Sequence, residues 1–249
     1  MSFLDGPTPL AFAHRGGALL AVNEGIENTL TAFQNAVDLG YRYLETDVHS
    51  SRDGVVYAFH DVQLTRMTGT VSAFRDLDSA GIDAIRVGGR EPVPRLGDLL
   101  EAFPEARFNI DAKSDDVVDP LLDVLRDAEA LDRVCLASFS GERLRRMRRA
   151  VPKVPTSFSP AEIARLRLGQ RLGRAGACVQ VPFRQRRLTV VTPGLVRRAH
   201  AIGAQVHVWT IDDPDEMRYL LDIGVDGLMS DRIDVLRDVL RERDQWEEP

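Results

Sequence analysis

The sequence contains little cysteine and no cluster of metal-binding cysteine and histidine. Of its 249 residues only Cys135 and Cys178 are cysteines, and each lies in a short apolar run typical of a strand. We interpret both as small hydrophobic side chains, because a secreted disulfide framework needs more cysteines at regular spacing. The spacing of cysteine and histidine also does not suggest a structural zinc site.

Long apolar runs and an excess of positive charge are missing as well. No segment reaches the roughly 18 apolar residues of a membrane span, and the first residues lack the pattern of a signal peptide. The formal net charge of −6 argues against nonspecific nucleic-acid binding. We therefore expect a cytoplasmic protein without a nucleic-acid partner or stable membrane insertion, either a monomer or a homodimer.

Short apolar runs alternate with helical patterns along the chain, as in parallel βαβ units. Eight runs are candidate strands: residues 10–14, 43–48, 107–111, 134–138, 154–158, 177–181, 205–209 and 227–230. Clear helical patterns cover residues 29–39, 192–201, 213–222 and 234–241. Asn28 is the predicted N-cap of the first helix. Eight such units predict an α/β fold, a (β/α)8 TIM barrel formed by one domain over residues 1–249.

The connection between the second and third candidate strands is too long for a simple βα unit. It contains another short apolar run at residues 55–59 and a loop-rich stretch through Gly88 and Gly89. We interpret residues from about 49 to 106 as a small insertion after the second strand, packed over one mouth of the barrel.

Polar side chains collect at the predicted strand ends, where barrel enzymes place their catalytic groups. His14 ends the first strand, and Glu45 and Asp47 share one face of the second because they are two residues apart. Asp111 and Lys113 share a face of the third strand by the same rule. Burying three carboxylates together is costly without a cation, and their oxygen ligands favour Mg²⁺ or Ca²⁺.

Two histidines complete the predicted site. His60 follows the short run at residues 55–59, so His14 and His60 could flank a bound group, one accepting a proton while the other donates one. Arg15 and Lys113 supply positive charge for phosphate oxygens. This set suits phosphodiester hydrolysis better than glycoside hydrolysis, which needs neither the histidines nor the cations.

An ordered series of short motifs extends from residue 10 to about residue 232. It comprises His14-Arg15-Gly16-Gly17, Glu27-Asn28-Thr29, Glu45-Thr46-Asp47-Val48, His60-Asp61 with Leu64 and Arg66, Asp111-Ala112-Lys113, Trp209-Thr210 and Asp226-Gly227. In these motifs the sequence resembles the glycerophosphodiester phosphodiesterase family. The resemblance implies metal-dependent cleavage of glycerophosphodiesters to glycerol 3-phosphate and an alcohol. It also implies His14 and His60 as the acid/base pair.

The resemblance assigns the remaining residues as well. It implies Glu45, Asp47 and Asp111 as ligands of one divalent cation, Arg15 and Lys113 as phosphate contacts, and Trp209 as an apolar wall beside the glycerol. The family usually carries glutamate at the position of Asp111, and the shorter aspartate would reach the ion less closely or through water.

Several alternatives stay open from the sequence. The enzyme could be a lysophospholipase D acting on a longer lipid, or the barrel could bind a ligand without catalysis. Glu45 and Asp47 could form a structural ion-pair network, and Lys113 could simply neutralise them. Trp209 could belong to the core, and Asp231 is expected to support the site or close the barrel. The nucleophile could be water or the glycerol hydroxyl next to the phosphoester.

Overall fold

A computed structural model describes residues 3–170, 176–186 and 188–248 of the chain. The strands are β1 (Leu10–His14), β2 (Tyr43–Ser50), β3 (Val56–Ala58), β4 (Arg86–Val87), β5 (Glu91–Pro92), β6 (Arg107–Ala112), β7 (Val134–Ala137), β8 (Cys178–Pro182), β9 (Arg184–Gln185), β10 (Leu188–Thr189), β11 (Gln205–Trp209) and β12 (Gly227–Ser230). The helices are α1 (Leu30–Asp38), α2 (Thr65–Thr68), α3 (Ser79–Asp83), α4 (Leu96–Ala102), α5 (Val118–Asp127), α6 (Gly141–Ala150), α7 (Pro160–Arg167), α8 (Pro193–Ala201), α9 (Pro214–Asp222) and α10 (Ile233–Glu242). None of these helices is long and apolar enough to cross a membrane.

Seven strands form one parallel sheet in the order β7-β6-β2-β1-β12-β11-β8. β3 extends it by pairing antiparallel with the far end of β2. Sequential strands are joined through helices that cover the outer face, so their carboxyl ends meet at one end of the sheet. The predicted TIM-like arrangement of parallel strands is confirmed, and it brings the polar residues at the strand ends together.

The segment at residues 154–158, predicted as the fifth strand, is not a regular strand. Thr156 makes a single parallel bridge to β7, and Ser157 makes one to β8. The segment thus lies between the two ends of the sheet path. Pro155 has no N–H group to donate, which interrupts the ladder. The prediction of a regular strand is wrong there, although an extended chain occupies the expected place.

Arg148 of α6 holds this irregular segment with its side chain. Its guanidinium donates to Thr156 Oγ1 (2.9 Å) and to the carbonyl of Ser157 (2.8 Å). It also pairs with both carboxylate oxygens of Glu162, at 2.8 and 3.2 Å. Glu162 and Ser159 form a reciprocal capping box at the start of α7. Side-chain hydrogen bonds from α6 therefore add to the backbone hydrogen bonds of this segment, which include Ser157 N to the carbonyl of Leu136 and Phe158 N to the carbonyl of Cys178, both at 2.9 Å.

Arg148→Met is expected to lower the free energy of unfolding by about 2 kcal/mol, because it removes these bonds and leaves Glu162 without its cation. Burial alone would raise the pKa of Glu162, but the hydrogen bonds from Arg148 and Ser159 lower it. Stability from a lowered carboxylate pKa is present above the ordinary glutamate pKa and is lost as the pH falls through the lowered value. Urea unfolding should therefore show a smaller difference between wild type and variant in acid.

The control for this comparison is Arg145→Met, which removes an exposed arginine from the same helix and its 2.8 Å pair with Glu142. Exposed pairs contribute little, so this variant should lose less than about 1 kcal/mol. Equal losses in the two variants would show that Arg148 does not brace the segment.

The apolar core is divided into three clusters. The largest lies between the sheet and the outer helices. A second, formed only by residues between β2 and α4, comprises Tyr57, Phe59, Leu64, Phe74, Ile82, Ile85, Val87 and Val93. The third lies inside the barrel and includes Cys135 and Cys178, whose free thiol sulfurs are 3.5 Å apart. The long connection after β2 thus has a small core of its own, and α4 already packs into the main cluster.

The first helix begins differently from the prediction. Its N-cap is Thr29, whose Oγ1 accepts a hydrogen bond from the amide of Ala32 at 3.2 Å. Asn28 has a left-handed backbone with φ of 60°, and its Oδ1 accepts from Thr46 Oγ1 at 2.8 Å. Asparagine tolerates this conformation better than most residues. The prediction of Asn28 as the N-cap is therefore wrong. The Asn28 side chain instead connects the loop after β1 to β2.

Candidate active site

A pocket of about 160 Å³ opens at the carboxyl ends of the parallel strands. All the predicted site residues line it: His14, Arg15, Glu45, Asp47, His60, Asp111, Lys113 and Trp209. The strand register explains the grouping, since His14 pairs with Glu45 across β1 and β2, and Asp47 pairs with Asp111 across β2 and β6. A larger cavity of about 440 Å³ at the opposite end is lined by Tyr41, Arg107 and Trp246 among others. The chemistry of the side chains favours the smaller pocket.

His14 is held between two carboxylates at the end of β1. Its Nδ1 donates to Asp231 Oδ1 at 2.7 Å, and its Nε2 lies 3.7 Å from Glu45 Oε2. Burial alone would lower the pKa of His14, but the negative charges of Glu45 and Asp231 raise it above its ordinary value. Asp231, expected to support the site or the closure of the barrel, therefore orients this imidazole.

His60 lies beyond β3 and is held by the residue that follows it. Its Nδ1 donates to Asp61 Oδ1 at 2.6 Å, and Asp61 Oδ2 accepts from Arg66 Nε at 2.6 Å. Burial tends to raise the pKa of Asp61, but the bonds from Arg66 and His60 lower it, so the carboxylate stays ionised. His49 Nε2 donates to the backbone carbonyl of His60 at 3.1 Å. Sequence reasoning gave no role to Asp61 or Arg66 beyond the motif.

Two of the three predicted metal ligands, Asp47 and Asp111, contact one ammonium group in the pocket. Lys113 Nζ lies 2.6 Å from Asp47 Oδ1 and 2.8 Å from Asp111 Oδ2. Burial lowers the pKa of Lys113, but these two acids raise it overall. Burial likewise raises the pKa of Asp47, but Lys113 and Arg15 outweigh it and hold that pKa below its ordinary value. Asp47 is therefore the carboxylate most firmly kept negative.

The other two carboxylates are pushed in the opposite direction. Burial and the neighbouring charge of Asp47 raise the pKa of Glu45 to about 7. Burial also raises the pKa of Asp111, although Lys113 opposes that effect. The three neighbouring acids carry more negative charge than Arg15 and Lys113 can neutralise. This excess of negative charge favours binding of an additional cation.

Arg15 reaches into the same cluster from a strained backbone position. Its φ is 52°, and its amide donates to the carbonyl of Glu45 at 3.0 Å. Its guanidinium Nη1 pairs with Glu27 Oε1 at 3.1 Å, and its Nε lies 3.2 Å from Asp47 Oδ2. Arg15 and Lys113 thus contact carboxylates at the bottom of the pocket. Their contact with phosphate stays a prediction.

The donor set fits a divalent cation in its chemistry. Within residues 3–170, 176–186 and 188–248, Asp111 Oδ1 is buried without a hydrogen-bond partner, and Asp47 Oδ2 is buried without a hydrogen bond but lies 3.2 Å from Arg15 Nε. Unpaired buried carboxylate oxygens are costly, and hard cations such as Mg²⁺ and Ca²⁺ prefer oxygen ligands. Over the same residues no three acids, histidines or cysteines lie close enough together to hold a metal ion with the side chains as they stand. The ligand chemistry fits, with Lys113 Nζ beside the same carboxylates.

One half of the pocket is apolar. Trp209 lines it and packs edge-on against Phe139, with 5.8 Å between the ring centroids. The same half includes Phe158, Pro160, Ile163 and Met229. Phe139 is 61% exposed, and Lys113 Nζ lies 5.8 Å from its ring centroid. Sequence reasoning missed Phe139, although its position directly after Ser138 at a strand end was a usable signal.

Fold and pocket together define a TIM-like barrel enzyme with acids, cations and two histidines at the carboxyl ends of its strands. Residues 14–235 match the model of the glycerophosphoryl diester phosphodiesterase family. The chain belongs to this family, and it is a phosphoric diester hydrolase by class. The predicted family is confirmed.

Individual relatives agree with the family match. The chain is 39% identical to a Mycobacterium tuberculosis protein named "Probable glycerophosphodiester phosphodiesterase 2", over 98% of each chain. It is 26% identical to a lysophospholipase D of Mus musculus, over 92% of this chain and 85% of that one. A crystal structure of a glycerophosphodiester phosphodiesterase from Agrobacterium tumefaciens has a TM-score of 0.78 at 25% identity, covering 93% of this chain and 99% of that chain.

Proposed function

We propose that the protein hydrolyses glycerophosphodiesters to glycerol 3-phosphate and an alcohol, with His14 and His60 transferring the protons. The observation that carries this proposal is the matched setting of the two imidazoles. Each lines the pocket, and each uses Nδ1 to donate to a carboxylate, at 2.7 Å for His14 and 2.6 Å for His60. The hydrogen bond fixes the tautomer, so Nε2 of each ring is left for the substrate.

The proton transfers follow from this arrangement. One imidazole accepts a proton from the nucleophile while the other donates a proton to the departing alkoxide. The nucleophile is water, or the glycerol hydroxyl next to the phosphoester, which would form a cyclic phosphate that water then opens to glycerol 3-phosphate. Each route needs one ring as base and the other as acid. Asp231 and Asp61 stabilise whichever ring is protonated. Trp209 forms the apolar wall beside the glycerol.

Glu45, Asp47 and Asp111 would hold one divalent cation, Mg²⁺ or Ca²⁺. When bound, the ion stabilises the negative charge that develops on the phosphoryl oxygens. Arg15 and Lys113 add two further positive charges to this end of the pocket, and both can donate hydrogen bonds to phosphate. Asp111 has the same charge as the glutamate usual in the family, but its shorter side chain would extend less far toward the ion.

The wider setting belongs to the same proposal. The extended segment at residues 154–158 would complete an eight-stranded (β/α)8 barrel, and the connection between β2 and α4 would be an insertion that covers the pocket beside His60. We expect the enzyme to work in the cytoplasm as a monomer or homodimer.

A lysophospholipase D reaction on a lysolipid is the second candidate function. The observation that favours it is the apolar half of the pocket, where Phe139 stays 61% exposed beside Trp209. An apolar tail that leaves the pocket at this point would cover the exposed ring. A barrel that binds a ligand without catalysis is the third alternative, and it predicts binding in the absence of turnover.

The experiment that tests the proposed function uses the metal-stripped protein with glycerophosphocholine or a lysophosphatidylcholine, and with Mg²⁺ or Ca²⁺ restored separately. We expect release of glycerol 3-phosphate from glycerophosphocholine only after a divalent ion is added. Faster turnover of the lysolipid would favour the second candidate. Undiminished activity in excess chelator would contradict the metal requirement, and binding of both compounds without product would favour the third alternative.

A further inference from the structure

A row of alternating charges connects the two sides of the pocket, and its middle residues, Arg66 and Glu27, have no role assigned above. It begins at His60 and continues through Asp61, Arg66 and Glu27 to Arg15. Glu27 belongs to the connection after β1, whereas Asp61 and Arg66 belong to the connection after β3. The only cation between the two acids in this row is Arg66, which therefore joins two separate loops.

The contacts of Arg66 are short and directional. Its Nε donates to Asp61 Oδ2 at 2.6 Å, and its Nη2 and Nη1 donate to Glu27 Oε1 and Oε2 at 2.6 and 3.1 Å. A planar guanidinium that binds one carboxylate with two nitrogens fixes both distance and angle. The hydrogen bond from Arg66 Nε to Asp61 therefore fixes the Asp61 carboxylate in relation to the Glu27 carboxylate.

His60 depends on such a support more than His14 does. The side chain of His60 is 34% exposed, against 11% for His14, so the surrounding core restricts the ring less. The ring nitrogen of His60 that is bonded within the protein contacts Asp61. Without Arg66, the Asp61 carboxylate would have one free oxygen and could rotate, and the imidazole would rotate with it. Arg66 occupies that second oxygen.

We infer that Arg66 is a positioning residue, which holds His60 in its reactive orientation through Asp61 and fixes Arg15 through Glu27. This inference rests on the proposed role of His60. Arg66 itself does not line the pocket, so its effect reaches the substrate only through the two residues that do. The bridge also sets the distance between the loop that carries Arg15 and the loop that carries His60.

The kinetic test compares Arg66→Met and Arg66→Lys with a matched control, Arg52→Met. Arg52 lies between β2 and β3 and pairs with Asp78 at 3.1 Å on the exposed surface, outside the pocket. Arg66→Met is expected to lower kcat about 100-fold with little change in KM, because small displacements of a catalytic group can cost that much. Arg66→Lys should recover only part of the loss, since one ammonium cannot hold both carboxylates in a plane. Arg52→Met should match wild type.

A second measurement reports on the hydrogen bonding of the His60 ring and does not depend on enzyme activity. Imidazole ¹⁵N spectra of wild type, with the His60 signal identified by its loss in His60→Gln, should show the proton on Nδ1. In Arg66→Met the same signal should shift toward a mixture of the two tautomers, while the His14 signal stays unchanged. Unfolding curves of each variant confirm that the fold is retained.

The outcomes separate the inference from the proposed function. Wild-type kcat in Arg66→Met, or an unchanged His60 tautomer in that variant, would overturn the positioning role. Full recovery in Arg66→Lys would also overturn it, because a single charge would then be sufficient. If wild type does not turn over any glycerophosphodiester, the proposed function fails, and the ¹⁵N spectra alone still decide whether Arg66 fixes His60.

Discussion

Replacement of either pocket histidine by alanine should reduce kcat/KM by about 1,000-fold, within the range that general acid–base groups supply. In His14→Ala the carboxylates of Glu45 and Asp231 lose the imidazole that lies between them, at 3.7 and 2.7 Å. In His60→Ala the Asp61 carboxylate loses its 2.6 Å partner. Steady-state rates of glycerol 3-phosphate release measure the effect, and the double variant should lose little more than either single variant.

The matched control for these variants is His200→Ala. His200 also donates to an aspartate, with 2.8 Å between its Nε2 and Asp226 Oδ2, but it lies on α8 and is largely exposed. It should retain the wild-type rate. Near-normal turnover in either His14→Ala or His60→Ala, with an intact unfolding transition, would eliminate the acid/base pair.

The parallel barrel could be predicted from the sequence because its strands are short apolar runs at regular spacing. The site could be predicted because strand periodicity places Glu45 and Asp47 on one face. The same rule groups Asp111 with Lys113, and the register between β2 and β6 then sets Asp47 beside Asp111. His14 was found as the last residue of its strand. These inferences need only local pattern and one topological rule.

Features that depend on long-range side-chain contacts could not be predicted. The motifs contain Glu27, Asp61 and Arg66, but nothing in a linear pattern shows that the Arg66 guanidinium joins Asp61 to Glu27, which lies 39 residues before Arg66. The left-handed backbone of Asn28 was hidden by its resemblance to an N-cap. The irregular segment at residues 154–158 looks like a strand in the sequence, and nothing in its own residues shows that Arg148 of α6 binds it.

Lys113 illustrates the same limit inside the pocket. The sequence left two roles open, neutralising the acids or binding phosphate. The ammonium lies 2.6 and 2.8 Å from two carboxylates, yet Asp111 Oδ1 is buried without a hydrogen-bond partner and can still serve as a ligand. A lysine shared between carboxylates can turn one N–H toward phosphate without leaving them, since it has three donors. The two roles are therefore compatible.

Asp47→Asn should raise the concentration of Mg²⁺ or Ca²⁺ needed for half-maximal activity at least about 100-fold. Loss of a residue that only orients a metal ligand lowers metal affinity by up to about 100-fold, and Asp47 is itself a proposed ligand. The amide keeps the shape of the side chain but removes one negative charge. Lys113 Nζ at 2.6 Å and Arg15 Nε at 3.2 Å both lose their shared carboxylate. Titration of turnover with each ion measures the change.

The metal-free protein should respond to the same substitution. Asp47→Asn removes a carboxylate that Lys113 and Arg15 share, although Lys113 keeps Asp111 at 2.8 Å and Arg15 keeps Glu27 at 3.1 Å. The variant should therefore lose about 2 kcal/mol of unfolding free energy without added ion. A ligand that binds only the folded state stabilises it, so added Mg²⁺ should raise the melting temperature of wild type and raise that of the variant much less. Asp83→Asn, which removes a carboxylate paired with Arg95 outside the pocket, should keep the wild-type response to the ion. An equal rise in Asp47→Asn would place the cation elsewhere and leave Asp47 as a partner of Lys113 and Arg15 only.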